Sequence, residues 1–166
     1  MRALRKGRAL RSVANRTNRI GADDILLFCT FRNEDVRLPY FLEYYRKLGI
    51  NHFFMVDNDS NDGGAAFVLE QPDVSLWSTK AAYGDARYGM DWLTYLQGKY
   101  APGHWALTVD VDEFFVYPFC DTRPISALAD WLDASQVRSF GAMLLDMYPK
   151  GPVGQTAYVK GSDPFA

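Results

Sequence analysis

The chain has 166 residues, of which 48% are hydrophobic and 23% charged, and its formal net charge is −2. These values are typical of one globular domain with a substantial core. No run of about 18 apolar residues predicts a transmembrane helix, and the amino end lacks the continuous apolar segment of a secretory signal. The simplest interpretation of Cys29 and Cys120 is buried free thiols in a reducing compartment, so we expect a cytoplasmic protein.

Basic residues are concentrated at the amino end. Residues 1–22 contain seven of them and no acid, which leaves 11 basic and 20 acidic residues in the remainder. The simplest interpretation is a solvated, poorly ordered terminus, and the functional alternative is peripheral contact with an anionic membrane at its inner face. We expect no nucleic-acid partner. The predicted organisation is a basic arm (1–22), one α/β domain (23–150) and a loop-rich end (151–166).

Strand-like and helix-like segments alternate from residue 25 onward. Strands are predicted at 25–31, 52–56, 74–77, 104–116 and 139–147. Helices are predicted at 39–48, 65–70, 87–100 and 125–132. Gly49 is expected to end the first of these helices in a left-handed conformation. The alternation predicts an α/β fold with a mainly parallel sheet flanked by helices.

The stretch 104–116 carries the strongest chemical signal, because an apolar strand runs into three carboxylates. Side chains alternate along a strand, so Asp110 and Asp112 should share one face about 7 Å apart. Like charges that close repel unless a cation lies between them, and hard oxygen ligands favour Mg²⁺ or Mn²⁺ over Zn²⁺. A solvated acidic turn is the alternative, but apolar neighbours predict burial, where unpaired carboxylates are costly.

Polar residues follow three of the predicted strands, at 30–34, 57–62 and 110–113. Ligands of parallel α/β sheets bind outside the carboxyl ends of the strands, so we expect these three segments to form one site. For residues 57–62 an ordinary turn is the alternative, because Asp, Asn and Gly are typical turn residues.

Four motifs together resemble a known family. They are CTFRNE at 29–34, LGINHF at 48–53, VDNDSNDG at 56–63 and DVDEF at 110–114. Their order and spacing resemble family 2-type glycosyltransferases of the GT-A fold, in the branch with an aspartate-x-aspartate-glutamate-phenylalanine core. The resemblance spans residues 25–150. It implies a Rossmann-like GT-A fold, a UDP- or GDP-sugar donor, and a glycan, lipid or other acceptor that it does not specify.

The resemblance also implies roles for single residues. Thr30, Arg32, Asp57 and Asn58 fall at positions that hold the nucleoside, although many relatives have an acid where Asn58 lies. Asp112 would be the direct ligand of Mn²⁺ or Mg²⁺, and Asp110 would reach the ribose or the metal.

The resemblance implies two further roles, and each has an alternative. Arg87 would add positive charge near the diphosphate, and an ordinary surface arginine is the alternative. In inverting members a carboxylate downstream of the acidic motif deprotonates the acceptor, and the candidates here are Glu113 and Asp146, with Asp163 also nearby. Because 54 residues follow Asp112, we expect the acceptor side to be incomplete, in a fragment or a short form.

Two rival functions remain. A phosphatase of the haloacid dehalogenase type also uses an aspartate-x-aspartate pair, but usually on its first strand, with threonine or valine where this chain has Phe114. A non-catalytic nucleotide-sugar-binding remnant is the other, and only turnover distinguishes it from an enzyme.

Overall fold

The computed structural model describes residues 2–147 and 158–165. The strands are β1 (Arg11–Ala14), β2 (Leu26–Phe31), β3 (His52–Asp57), β4 (Val74–Ser78) and β5 (Ala106–Thr108). They form one sheet in the order β1-β4-β3-β2-β5. Strands β2 to β5 are parallel to their neighbours, and β1 pairs antiparallel with β4 at the edge.

Helices cover both faces of this sheet. They are α1 (Arg2–Gly7), α2 (Leu38–Leu48), α3 (Gly64–Leu69), α4 (Met90–Tyr100) and α5 (Ile125–Ala134). Helices α2, α3 and α5 pack into the core on one face, and α4 packs into the core on the other face. The predicted single α/β domain with a mainly parallel, helix-flanked sheet is therefore confirmed.

The two central strands are buried at every position, as expected for strands that are covered on both faces. Phe28 of β2 and Phe54 of β3 stack with their ring centroids 4.5 Å apart on the α4 side. Leu27 and Phe53 point to the opposite core, under α2. Helix α2 ends as predicted, because Gly49 has a φ of 105° and its N–H bonds back to the last turn.

The basic amino-terminal segment is part of the fold, which differs from the expected poorly ordered terminus. Helix α1 lies on α4, with Gly7 against the ring of Tyr95, where a side chain at position 7 would not fit. Strand β1 pairs with the edge of β4 and so satisfies backbone groups that an open edge would leave unpaired. Arg16 fixes this segment by donating to the carbonyl oxygens of Leu69 and Val74, at 2.8 and 2.7 Å.

Three predicted elements are wrong in extent or in kind. The acidic strand predicted at 104–116 is limited to β5, because the chain turns after Val109. The helix predicted at 87–100 begins only at Met90, because residues 87, 88 and 89 all have positive φ. The strand predicted at 139–147 is absent. The segment is exposed, has no regular structure and pairs with no strand in the described part of the chain.

No helix in the described ranges is both long and apolar enough to cross a membrane. The loop-rich end predicted at 151–166 lies mostly outside the described residues. Its described part, residues 158–165, contains turns and no helix or strand.

Candidate functional site

The strand order reverses between β2 and β5. The chain proceeds outward from β2 through β3 to β4 and then returns to place β5 on the other side of β2. In open α/β sheets this reversal opens a crevice at the carboxyl ends of the two strands, and ligands bind there. The predicted segment 30–34 begins in the last two residues of β2 and continues beyond it, and the segment 110–113 lies just beyond β5, so two of the three predicted segments flank the crevice.

The segment Asp110–Glu113, here called the acidic turn, lies at this crevice. Val109 and Val111 are buried, whereas Asp110 and Asp112 are exposed. The alternation predicted for a strand is therefore retained in a turn. Glu113 closes the turn with two hydrogen bonds. Its N–H donates to the Asp110 carbonyl oxygen (3.1 Å), and its carboxylate accepts the Asp110 N–H (2.9 Å).

The acidic turn carries uncompensated negative charge. Partial burial, followed by the nearby carboxylates of Glu113 and Asp112, raises the pKa of Asp110. No lysine or arginine in the described ranges forms an ion pair with any of the three carboxylates. A bound cation would relieve this repulsion.

We expect Asp110→Asn to raise the melting temperature at neutral pH by about 1–2 °C, because it removes this repulsion. A carboxyl whose folded-state pKa is raised stabilises the fold while protonated and loses that contribution as the pH rises through the raised value. The advantage of asparagine should therefore vanish below about pH 4. Thermal unfolding across this pH range measures it, and a variant less stable than wild type at neutral pH would contradict the repulsion.

Two tyrosines of α2 hold the chain immediately after the acidic turn. The Tyr45 hydroxyl donates to the Glu113 carbonyl oxygen (2.9 Å) and accepts the Phe115 N–H (3.0 Å). The Tyr44 hydroxyl donates to the Phe115 carbonyl oxygen (2.9 Å). Burial is the main cause that raises the pKa of Tyr45 above its usual range, so this hydroxyl stays neutral and keeps its proton to donate.

A pocket of about 150 Å³ opens at the carboxyl ends of β2 and β3. It is lined by Thr30, Phe31, Arg32, Asn58 and Tyr83. Burial and then the Asp110 carboxylate raise the pKa of Tyr83, and β5, which leads into the acidic turn, pairs with β2, whose end lines the pocket. A larger depression of about 420 Å³ at residues 133–138 is lined by none of the predicted site residues, so the candidate site is placed at the smaller pocket.

Three of the predicted nucleoside-binding residues meet in this pocket. Arg32 supplies its positive charge and makes no ion pair in the described part of the chain. The Thr30 hydroxyl is buried and has no hydrogen-bond partner among the described residues. Asn58 donates to the carbonyl oxygens of Thr79 (3.1 Å) and Ala81 (3.0 Å), and thereby fixes the wall of the pocket.

The loop after β3 is partly an ordinary turn, which was the alternative for residues 57–62. The Asp57 carboxylate is buried and accepts the N–H of Ser60 at 3.0 Å. Asp62 accepts the N–H groups of Asp35 and Gly64, both at 2.9 Å. The bond between Asp35 and Asp62 joins the loops that follow β2 and β3, and the other two bonds fix the loop after β3. Asp57 and Asp62 thus shape the site through the backbone.

Arg87 lies outside the helix on which it was predicted, with a φ of 49°. Its guanidinium holds one carboxylate oxygen of the buried Asp91 (2.6 and 2.9 Å), while Arg2 of α1 holds the other (2.8 Å). Burial alone would raise the pKa of Asp91, but these hydrogen bonds outweigh it and lower the pKa. Arg87 therefore orders the loop over the pocket, and its contact with a diphosphate stays a prediction.

Gly89 brings this loop close to the pocket. Its φ is 80°, and a Cβ there would lie 2.8 Å from the Thr30 hydroxyl oxygen and 3.0 Å from the Tyr83 ring. We expect Gly89→Ala to lower the free energy of unfolding by about 1–2 kcal/mol through left-handed strain alone, and to displace both pocket residues. Chemical denaturation measures the loss.

Gly98 is the matched control for this substitution. It lies inside α4, and a Cβ at this position would meet no heavy atom within 4 Å beyond the backbone of its own helix. Gly98→Ala should stabilise the protein by about 0.4–1 kcal/mol. If both variants changed stability in the same direction, the close approach at Gly89 would be contradicted.

The three candidate bases differ in their contacts with the candidate site. Glu113 closes the acidic turn, whereas Asp146 is exposed in an irregular segment, and no described hydrogen bond joins it to the site. Asp163 lies nearer: burial and then the adjacent Asp163 carboxylate raise the pKa of Tyr40 to about 12. The Tyr40 ring in turn packs on Phe114, with centroids 5.4 Å apart.

Sequence reasoning missed Tyr83, Asp91 and the part that α1 plays. The i,i+4 spacing of Arg87 and Asp91 was a usable signal, since such pairs meet on a helix surface. Tyr83 carried no comparable signal, because its place in the pocket depends on the turn at 84–89.

The chain matches no protein-family model, and no curated protein shows significant similarity to it. Within the described ranges, no three His, Cys, Asp or Glu side chains are grouped as ligands for a metal ion.

Proposed function

We propose that this protein is a glycosyltransferase of the GT-A type, which moves a sugar from a nucleotide-diphosphate donor with a divalent cation held by Asp110 and Asp112. The observation that carries the proposal is that the acidic turn follows β5 and that the pocket lined by Thr30, Arg32 and Asn58, here called the Arg32 pocket, lies at the end of β2, the strand that pairs with β5 where the strand order reverses. The acidic turn attracts a cation, and the Arg32 side chain in the pocket attracts an anion. A metal-bridged diphosphate needs both.

The donor set of the acidic turn fits Mg²⁺ or Mn²⁺. Asp110 and Asp112 are hard oxygen ligands, and both are exposed. Mg²⁺ in phosphate-handling enzymes is usually held by one or two carboxylates, and substrate phosphates and water complete its coordination. Two protein carboxylates without a third ligand in the described part of the chain are consistent with such a shared site.

Each residue of the site would then have a separate role. A bound cation supplies charge to the departing nucleoside diphosphate. Arg32 would bind a phosphate or the base edge beside Thr30, and Asn58 would keep the pocket wall in place. Glu113 and Tyr45 would hold the acidic turn in position, so that its carboxylates need not reorganise. The base that activates the acceptor stays a prediction, with Glu113, Asp146 and Asp163 as candidates.

A donor-hydrolysis assay tests the proposal. The protein is incubated with a panel of UDP- and GDP-sugars and Mn²⁺, and released nucleoside diphosphate is measured by liquid chromatography. We expect release with at least one donor and its loss in Asp112→Ala. Metal-dependent binding of nucleotide without any release would instead favour the binding protein. Phosphate release from small phosphomonoesters would favour the phosphatase.

A further inference from the structure

The seven basic residues near the amino end fall into two groups. Three make contacts within the fold: Arg2 with Asp91, Arg16 with two carbonyl oxygens of β4 and α3, and Arg19 with the Pro72 carbonyl oxygen. The other four have side chains without a hydrogen bond or ion pair in the described ranges. These four, called the cationic patch, are Arg5, Lys6, Arg8 and Arg11.

The cationic patch is bordered by exposed aliphatic side chains. Leu4 of α1 is 63% exposed and Val13 of β1 is 45% exposed. Neither is needed for the core, whereas Gly7 between them is buried against α4. The segment that contains α1 and β1 is thus fixed to the domain, while Arg5, Arg8 and Arg11 are exposed and Lys6 is half-buried, close in sequence to the exposed Leu4 and Val13.

The sheet register places Arg11, the member of the cationic patch that lies in β1, at the same edge as the candidate site. Arg11 of β1 lies opposite Ser78 of β4, Ser78 lies opposite Asp57 of β3, and Asp57 lies opposite Phe31 of β2. Arg11 is therefore in line with the carboxyl ends of the parallel strands, three strand spacings or about 14 Å from β2.

We propose that the cationic patch binds the surface of an anionic lipid bilayer and so turns the carboxyl edge of the sheet, with the pocket, toward the membrane. Each basic side chain near such a surface gains attraction to anionic headgroups, and Leu4 and Val13 provide apolar groups for the headgroup boundary. A nucleic acid would be favoured by aromatic side chains that stack on bases, and the exposed apolar residues here are aliphatic. The proposal depends on the register and not on the proposed sugar transfer.

Vesicle sedimentation with the full chain tests this surface. The vesicles are phosphatidylcholine alone, or equal parts of phosphatidylcholine and phosphatidylserine. We expect binding only to the anionic vesicles, with an affinity that falls as salt is added. Replacing all four patch residues by glutamine should weaken binding at least tenfold.

A control variant removes the same number of charges elsewhere. It carries Lys47→Gln, Lys99→Gln, Arg123→Gln and Arg138→Gln, and thermal unfolding verifies that both variants are folded. The control should retain most of the vesicle binding. Equal loss in both variants, equal binding to the two vesicle types, or tighter binding of a single-stranded RNA oligonucleotide than of anionic vesicles would each overturn the proposal.

Discussion

Replacing Asp112 with alanine is expected to weaken the binding of UDP or GDP at least tenfold in the presence of Mn²⁺, which corresponds to about 1.4 kcal/mol. Asp112 is exposed at the crevice, where its carboxylate would be a direct ligand of the cation that bridges the diphosphate. Binding without metal should change little, because the Arg32 pocket stays intact. Isothermal titration of both proteins measures the difference.

Asp130→Ala is the matched control for this substitution. Asp130 is an exposed acid on α5, so its removal changes the net charge equally but leaves the crevice unchanged. The control should bind like wild type. If Asp130→Ala and Asp112→Ala reduced affinity to the same degree, the effect would come from overall charge and not from a ligand at the acidic turn.

The second large effect is expected from Tyr45→Phe, which removes one hydroxyl and leaves two backbone groups without their partner. The Glu113 carbonyl oxygen and the Phe115 N–H both depend on that hydroxyl. Leaving one such group unsatisfied typically costs about 1–3 kcal/mol when it is fully buried, and because both groups here are only partly buried, the two together are expected to cost about that much. We expect a loss of stability in this range and weaker metal-dependent nucleotide binding, because the acidic turn loses its support.

Tyr44→Phe separates this support from a general loss of tyrosine hydroxyls on α2. Tyr44 makes a single bond to the chain after the acidic turn, to the Phe115 carbonyl oxygen. Its removal should cost about 0.5–1.5 kcal/mol and affect nucleotide binding less. Denaturant titration and calorimetry on the two variants give both quantities, and equal effects would argue against a special role for Tyr45.

The fold could be predicted where the sequence pattern is local. Continuous apolar runs at β2 and β3 indicate strands that are buried on both faces, and the structure has them. Gly49 marks the end of α2 because glycine adopts a left-handed conformation at the lowest conformational energy. Adjacent strand ends then brought Thr30, Arg32 and Asn58 into one pocket, which follows from parallel topology alone.

The remaining features depend on contacts distant in sequence. The acidic segment resembles a strand, but its backbone bonds turn it back at Glu113. Arg87 fits a helical pattern, but residues 87–89 have positive φ where Arg87 bonds to the buried Asp91 and Gly89 approaches Thr30. The basic amino-terminal segment has the composition of a disordered arm, and the open edge of β4 orders it. Apart from the i,i+4 spacing of Arg87 and Asp91, composition and periodicity do not identify these contact partners.

The most direct measurement is an isothermal titration of the wild-type protein with UDP and with GDP, each in the presence and absence of Mn²⁺. A site shared between the acidic turn and the Arg32 pocket predicts binding of at least one nucleotide that is tenfold or more tighter with metal, or about 1.4 kcal/mol. Equal affinity with and without Mn²⁺, or no binding of either nucleotide, would contradict the metal-bridged diphosphate site.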